Sequence, residues 1–340
     1  MELRFPAPLR PGDTVGVTSP SSGASGALQP RLDVAVRTVR EHGYDVVVGE
    51  CMDGSGHVSA PAVQRAHELQ TMLLDPGIRA VVPPWGGETA IDLVPLLDWA
   101  AIADAEPTWV VGYSDISTLL TPLTLLSGVA TIHGTNLMDT PYRIPAGLLG
   151  WLDIVRLEPG TTFTQRPPTH HRRTAVDYAQ HPDDREYVLD TPTAWRRLDD
   201  LGGAVDVGGR LVGGCVETLV NLAGTRWADT SALASLGDGL IVYLEAAEDD
   251  AFAICRNLHG LRLAGFLEDA AAVLIGRTYA PDAPTLTQDD AVRDALGGLG
   301  VPIVAGVDCG HWAPHLPLVN GALAHVGHDG DGWSISQTLR

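Results

Sequence analysis

The chain has 340 residues, 45% of them apolar and 19% charged, which is enough to bury at least one large core. Its 38 Gly and 24 Pro stay below the fraction that marks low-complexity chains. The net charge of −20 and the absence of lysine, all 22 basic residues being arginine, exclude a lysine Schiff base, a P-loop lysine and a sequence-independent nucleic-acid surface.

The opening stretch MELRFPAPLRPGDTV carries charges and prolines where a signal peptide needs an apolar run. The most apolar stretch, Leu119 to Ile132, is short and broken by Pro122 and Gly128, so a cytoplasmic protein without a membrane span is expected. From Thr14 short β-branched runs alternate with amphipathic ones: TVGVTSP, LDVAVRTVREHGY, DVVVGE, VQRAHELQTMLL, RAVVPPW, TAIDLVPLLDWA, TWVVGYS, ISTLLTPLTLL and ATIHG. That alternation predicts an α/β domain over residues 1–155 with a mainly parallel sheet. Ligands of such sheets sit where strands end, here at Ser19-Pro20-Ser21, Trp85-Gly86-Gly87, Ser114-Asp115 and His133-Gly134. Residues 156–200, rich in Pro, Thr, His and charge, read as a long interdomain connection. A second series (GRLVGG, VETLVNLAG, GLIVYLE, DAFAICRNLHGLRLAG, AAVLIGR, VPIVAGVD, ALAHVG, WSISQ) predicts a C-terminal α/β domain over 201–340. The scattered Cys51, Cys215, Cys255 and Cys309 read as free thiols in a reducing compartment.

In VVGYSDISTLL an apolar strand runs through Gly112-Tyr113-Ser114-Asp115 directly into an apolar-periodic helix. Ser114 there is either a nucleophile on a sharp turn or the N-cap of the helix; the α/β-hydrolase elbow is not matched, because Ile116 stands where it needs a second Gly. Two other strand ends offer partners. Glu245 closes the apolar run GLIVYLE, and His311 follows VPIVAGVD through Cys309-Gly310. Imidazole can take a serine proton, and a carboxylate on its other nitrogen fixes the tautomer; taken singly, Glu245 could be a cap and His311 a loop histidine. The turn Trp85-Gly86-Gly87-Glu88, before a helix starting near Thr89, offers backbone N–H groups to an oxyanion or is simply a tight turn. Cys215, after Gly213-Gly214 and before a helix, is a rival nucleophile. His311, His315 and Asp308 do not form a helical metal site because Pro314 intervenes. His170 and His171 read as solvent-exposed. The glycine pairs at 202–203 and 208–209 make no dinucleotide fingerprint, and neither metal nor organic cofactor is expected.

The segments PPWGGETAIDLVPLLDW, GYSD, GRLVGGCVETLVNLAGT, LEAAED and DCGHWAPHLPLVNGALA together resemble the LD-carboxypeptidase family of serine peptidases, from Gly12-Asp13-Thr14-Val15 to about Ala324. The resemblance implies a flavodoxin-like or amidotransferase-like N-terminal domain, a smaller C-terminal domain and a homodimer. It also implies a triad of Ser114 as nucleophile, Glu245 as acid and His311 as general base, with the N–H groups of Gly87 and Asp115 as oxyanion hole. Members that trim murein tetrapeptides read Arg-Gly-Gly-Tyr-Gly where this chain has Trp85-Gly86-Gly87-Glu88-Thr89, and Cys215 replaces the asparagine of the family's Gly-Gly-Asn turn. With Trp195-Arg196-Arg197 in the connection, the chain looks closer to the microcin-immunity branch, which cleaves an amide between a C-terminal aspartyl residue and a modified nucleotide. On that reading Trp85, Glu88, Trp195 and Arg196 or Arg197 bind substrate, Trp195 by stacking on the base. The expected partner is a small peptide or aminoacyl-nucleotide; the alternatives are a murein tetrapeptide carboxypeptidase releasing D-Ala and a non-catalytic two-domain binding protein.

Overall fold

Two sheets carry the fold of the computed structural model, which describes residues 1–329 and 332–340. The apolar runs of the first half form β1 (Thr14–Val17), β2 (Asp45–Val48), β3 (Ile78–Val81), β4 (Trp109–Gly112) and β5 (Thr131–His133). They pair in parallel in the order β5-β4-β3-β1-β2. Four of the five are buried runs, as strands covered on both faces must be, whereas β2 forms an exposed edge.

Residues 156–200 are not structureless. They supply β6 (Thr162–Gln165), a small pair β7 (His170–His171) and β8 (Thr191–Pro192), and β9 (Arg196–Arg197). The second half follows with β10 (Asp206–Cys215), β11 (Leu240–Glu245), β12 (Ala270–Gly276), β13 (Ile303–Val307), β14 (Leu318–Asn320), β15 (Leu323–Asp329) and β16 (Gly332–Thr338). Its sheet has the order β6-β16-β15-β10-β11-β12-β13-β9, parallel across β10 to β13 and antiparallel on both flanks. β14 leaves this half and pairs with β5 of the first sheet, Leu318 opposite His133 and Asn320 opposite Thr131.

Amphipathic helices Gln29–Glu41, Ala62–Leu74, Ala251–Leu263 and Gln288–Leu296 cover the sheets, and Ser117–Ser127 is buried on nearly every side. The run TAIDLVPLLDWA, predicted as one helix from near Thr89, splits at Pro95. It forms a short 3-10 turn, Ala90–Leu93, and a helix Trp99–Asp104 capped by Asp98, whose carboxylate accepts the Ala101 N–H at 3.0 Å. One core joins the halves: Leu119, Leu120 and Leu123 pack in the same cluster as Val212, Val216 and Leu219. Among the described residues no helix is long and apolar enough to cross a membrane.

Candidate active site

Three strand ends converge. Ser114 follows β4, Glu245 is the last residue of β11, and His311 lies on the loop after β13. Although 197 and 66 residues away from its partners in sequence, His311 places Nε2 3.0 Å from Ser114 Oγ and Nδ1 2.7 Å from Glu245 Oε2. Ser114 has a φ of +63°, the one positive φ of a non-glycine residue among the described residues. For an L-residue the left-handed region costs about 1–2 kcal/mol, and such strain gathers at functional turns.

The electrostatics set His311 apart from the neighbouring histidines. Three imidazoles crowd this corner, since the Tyr113 ring lies 6.5, 5.1 and 4.7 Å from those of His133, His311 and His315. Burial pushes His133 down and His315 well down, so both stay neutral. Burial is the largest influence on His311 and opposes its charge, but the Glu245 carboxylate, with smaller help from Glu217 and Glu248, raises that imidazole above its ordinary value. For Glu245, fully buried, burial favours the protonated acid; the charge and hydrogen bond of His311 reverse this and hold the carboxyl below its usual range. With Glu245 ionised, Nδ1 donates to it and Nε2 is left to accept the Ser114 proton.

Opposite Ser114 stands the glycine turn. A Cβ on Gly86 would lie 2.9 Å from Ser114 Cβ, and one on Gly87, at φ +140°, would fall 2.3 to 2.4 Å from the hydroxyls of Ser22 and Ser21. Only glycine lets this backbone approach so closely. Asp115, 2% exposed, fixes the turn from below: its carboxylate accepts from Ser21 Oγ at 2.6 Å and from the Ala90 N–H at 2.8 Å.

The remaining candidates fare differently. Trp195 is no stacking platform: it is 5% exposed in the core, and its indole N–H donates to Asp308 at 2.7 Å. A tryptophan beside an edge strand fills the space under it, and that burial was not readable from loop composition. Arg196 is already engaged, donating to both oxygens of Asp289 at 2.6 Å, and Arg197 pairs with Asp199. Trp85 is partly buried against Tyr178, with ring centroids 6.1 Å apart. Glu88 is exposed overall, and the partial desolvation of its carboxyl, followed by the charges of Asp115, Glu248 and Glu217, raises its pKa. His170 is exposed as expected, but His171 is buried, bonded to the Tyr279 hydroxyl and pushed down to about 4 by that burial. Cys215 is an unfit nucleophile. It is 1% exposed, its thiol donates to Glu217 at 3.1 Å, and burial plus the charges of Glu245 and Glu217 push it well up.

Two positioning groups carry no sign of that role in the sequence. Asp308, fully buried, accepts from Arg277 Nη1 at 2.6 Å as well as from Trp195, and Arg277 Nη2 donates to the Trp312 carbonyl at 3.0 Å, so this cluster holds the loop that carries His311. Glu217 Oε1 accepts the N–H groups of Ala247, Glu248 and Asp249 at 2.8 to 3.3 Å and fixes the chain just beyond Glu245. Neither belongs to a local motif, because each carboxylate meets its partners only after folding. A cavity of about 490 Å³ opens beside Glu245, lined also by Arg277, Tyr279, Gln288 and Arg196.

Hydrogen-bonded serine, histidine and glutamate side chains on strand ends of a two-sheet α/β protein are a geometry found in the serine hydrolase class. Within it, residues 15–134 match the LD-carboxypeptidase N-terminal domain and residues 208–326 the LD-carboxypeptidase C-terminal domain, together more than half of the chain. The chain belongs to the LD-carboxypeptidase family and is a serine carboxypeptidase-type hydrolase. It is 23% identical to the microcin C7 self-immunity protein MccF of Escherichia coli over 97% of this chain and 95% of that one. To the probable murein peptide carboxypeptidase of Bacillus subtilis it is 26% identical, over 94% and 90% of the two chains. A solved structure of MccF in complex with aspartyl sulfamoyl adenosine has the same fold, with a TM-score of 0.81 at 22% identity and 99% of each chain covered.

Proposed function

We propose that Ser114 is the nucleophile, His311 the general base and Glu245 the acid of this hydrolase, and that it cleaves the amide between an aminoacyl or peptidyl group and a nucleotide. The observation that carries the catalytic part is the bridging imidazole of His311, within hydrogen-bond reach of both partners. Ser114 Oγ attacks the carbonyl as its proton passes to His311 Nε2, and the N–H groups of Gly87 and Asp115 receive the oxyanion. The imidazolium, stabilised by Glu245, then protonates the leaving amine. Water activated by the same imidazole hydrolyses the acyl-enzyme.

The substrate preference is supported by the similarity to MccF over nearly the whole chain and by the aspartyl sulfamoyl adenosine carried by that protein. The stacking surface assigned to Trp195 passes to Trp312, the neighbour of His311, and Tyr279, partly exposed rings set edge to face with centroids 4.6 Å apart. The test offers the purified enzyme an aspartyl-adenylate amide and a murein tetrapeptide side by side. Release of the nucleotide, abolished by Ser114→Ala, is the expected outcome. Release of D-Ala with no nucleotide cleavage assigns the murein reaction instead, and turnover of either substrate by Ser114→Ala removes Ser114 as nucleophile.

A further inference from the structure

Far along the chain from Ser114, on the two helices that cover one face of the second sheet, lies a group of side chains the hydrolytic reaction does not use. Cys255 and His259 are four residues apart on helix Ala251–Leu263 and so share one face a turn apart. Asp294 reaches them from helix Gln288–Leu296. The inner faces of the two helices, Ile254, Leu258 and Leu261 on one and Val292, Ala295 and Leu296 on the other, are buried in a common core, so their relative position is fixed by packing.

Asp294 Oδ2 lies 3.3 Å from Cys255 Sγ and 3.1 Å from His259 Nε2, and all three donor atoms fall within 4.8 Å of one another. Tetrahedral zinc, with bonds of about 2.3 Å to sulfur and about 2.0 Å to nitrogen and oxygen, sets its ligand atoms about 3.3 to 3.7 Å apart. The two separations to Asp294 lie near that range, and the third, within 4.8 Å, needs only a side-chain adjustment for one ion to be shared by all three. The charge balances too, since a thiolate and a carboxylate neutralise a divalent ion while the imidazole stays neutral.

We infer that Cys255, His259 and Asp294 form a site for a borderline divalent metal ion of the zinc type, with solvent in its fourth position. A thiolate and an imidazole select zinc or cobalt over magnesium or calcium, which require oxygen ligands. Binding displaces the thiol proton of Cys255 to solvent and moves the imidazole proton from Nε2 to Nδ1. Arg262 Nη2, now 3.2 Å from that Nδ1, cannot accept it; being exposed, the guanidinium turns outward. Cys-x3-His carries no metal signal by itself in the sequence; it becomes a site only when another helix adds the acid.

The test uses the metal-free full-length protein titrated with Co²⁺. Near-ultraviolet thiolate-to-cobalt charge transfer and visible bands of four-coordinate cobalt are expected. Cys255→Ser abolishes the charge transfer, and His259→Gln weakens binding about tenfold or more. Peptidase activity is unchanged in both. An independent readout needs no variant: Cys255 is the one free cysteine that is not fully buried, so it reacts first with a thiol-specific reagent, and Zn²⁺ suppresses that reaction. The inference is overturned if cobalt shows no thiolate band, if Cys255→Ser binds it as the parent does, or if Zn²⁺ leaves the labelling rate unchanged.

Discussion

Ser114 sits in a backbone conformation suited to glycine while carrying the hydroxyl that the proposed relay needs. Removing that hydroxyl in two ways separates the role from the strain. Ser114→Ala and Ser114→Gly both lose the bond to His311, but alanine keeps the left-handed strain and glycine relieves it, less its own entropy cost on folding. Ser114→Gly is therefore expected to be about 1 kcal/mol more stable than Ser114→Ala by denaturant unfolding, with neither variant active. Equal stability of the two would mean the turn is not strained at Ser114. The same scale sets the pH dependence. As the proposed base, His311 works only when neutral, and Glu245 raises its pKa, so activity is expected to fall as pH drops through a value above the ordinary one of histidine. Glu245→Gln removes the charge that raises it, so the acid limb of kcat/KM moves to lower pH. The rate also falls by about 10³–10⁴, because the amide no longer enforces the Nδ1–H tautomer. A limb that stays in place or moves up would show that Glu245 is not what perturbs His311.

At the scale of elements, what could be read in advance follows from how each strand is buried. TWVVGYS, GLIVYLE and VPIVAGVD announced β4, β11 and β13 because parallel strands covered on both faces must be continuous apolar runs, and the candidate site residues end those runs or follow them within a few residues. β6 and β9 lie at the outer edges of the second sheet, pairing only with β16 and β13, so little in their own composition marks them. β14 is three residues long and pairs with β5, almost 190 positions earlier; no periodicity records such a partner. The three residues of the proposed triad could be picked out for the same reason the buried strands could, since each ends or follows one. Asp308, Arg277 and Glu217 were not, because their work is to tie loops together after those strands have met.

For the whole molecule the decisive question is what keeps Ser114 in register with a histidine and a glutamate from the other half. The shared core supplies part of the answer and β14 the rest. Asn320 at its end, fully buried, donates to Thr131 Oγ1 of β5 at 3.0 Å and accepts from the Tyr243 hydroxyl of β11 at 2.7 Å, so one amide links the two sheets. Truncating it leaves the Tyr243 hydroxyl buried without that partner, opens a small void and removes the link. Asn320→Ala is thus expected to cost about 2–4 kcal/mol of stability. Because the loss falls on a joint and not within one half, amides of β4 and β5 should lose hydrogen-exchange protection by the same free energy as those of β10 and β11, within a single unfolding transition. Two separated transitions, or protection lost in one sheet alone, would show that the halves fold independently and that the triad depends on some other contact for its alignment.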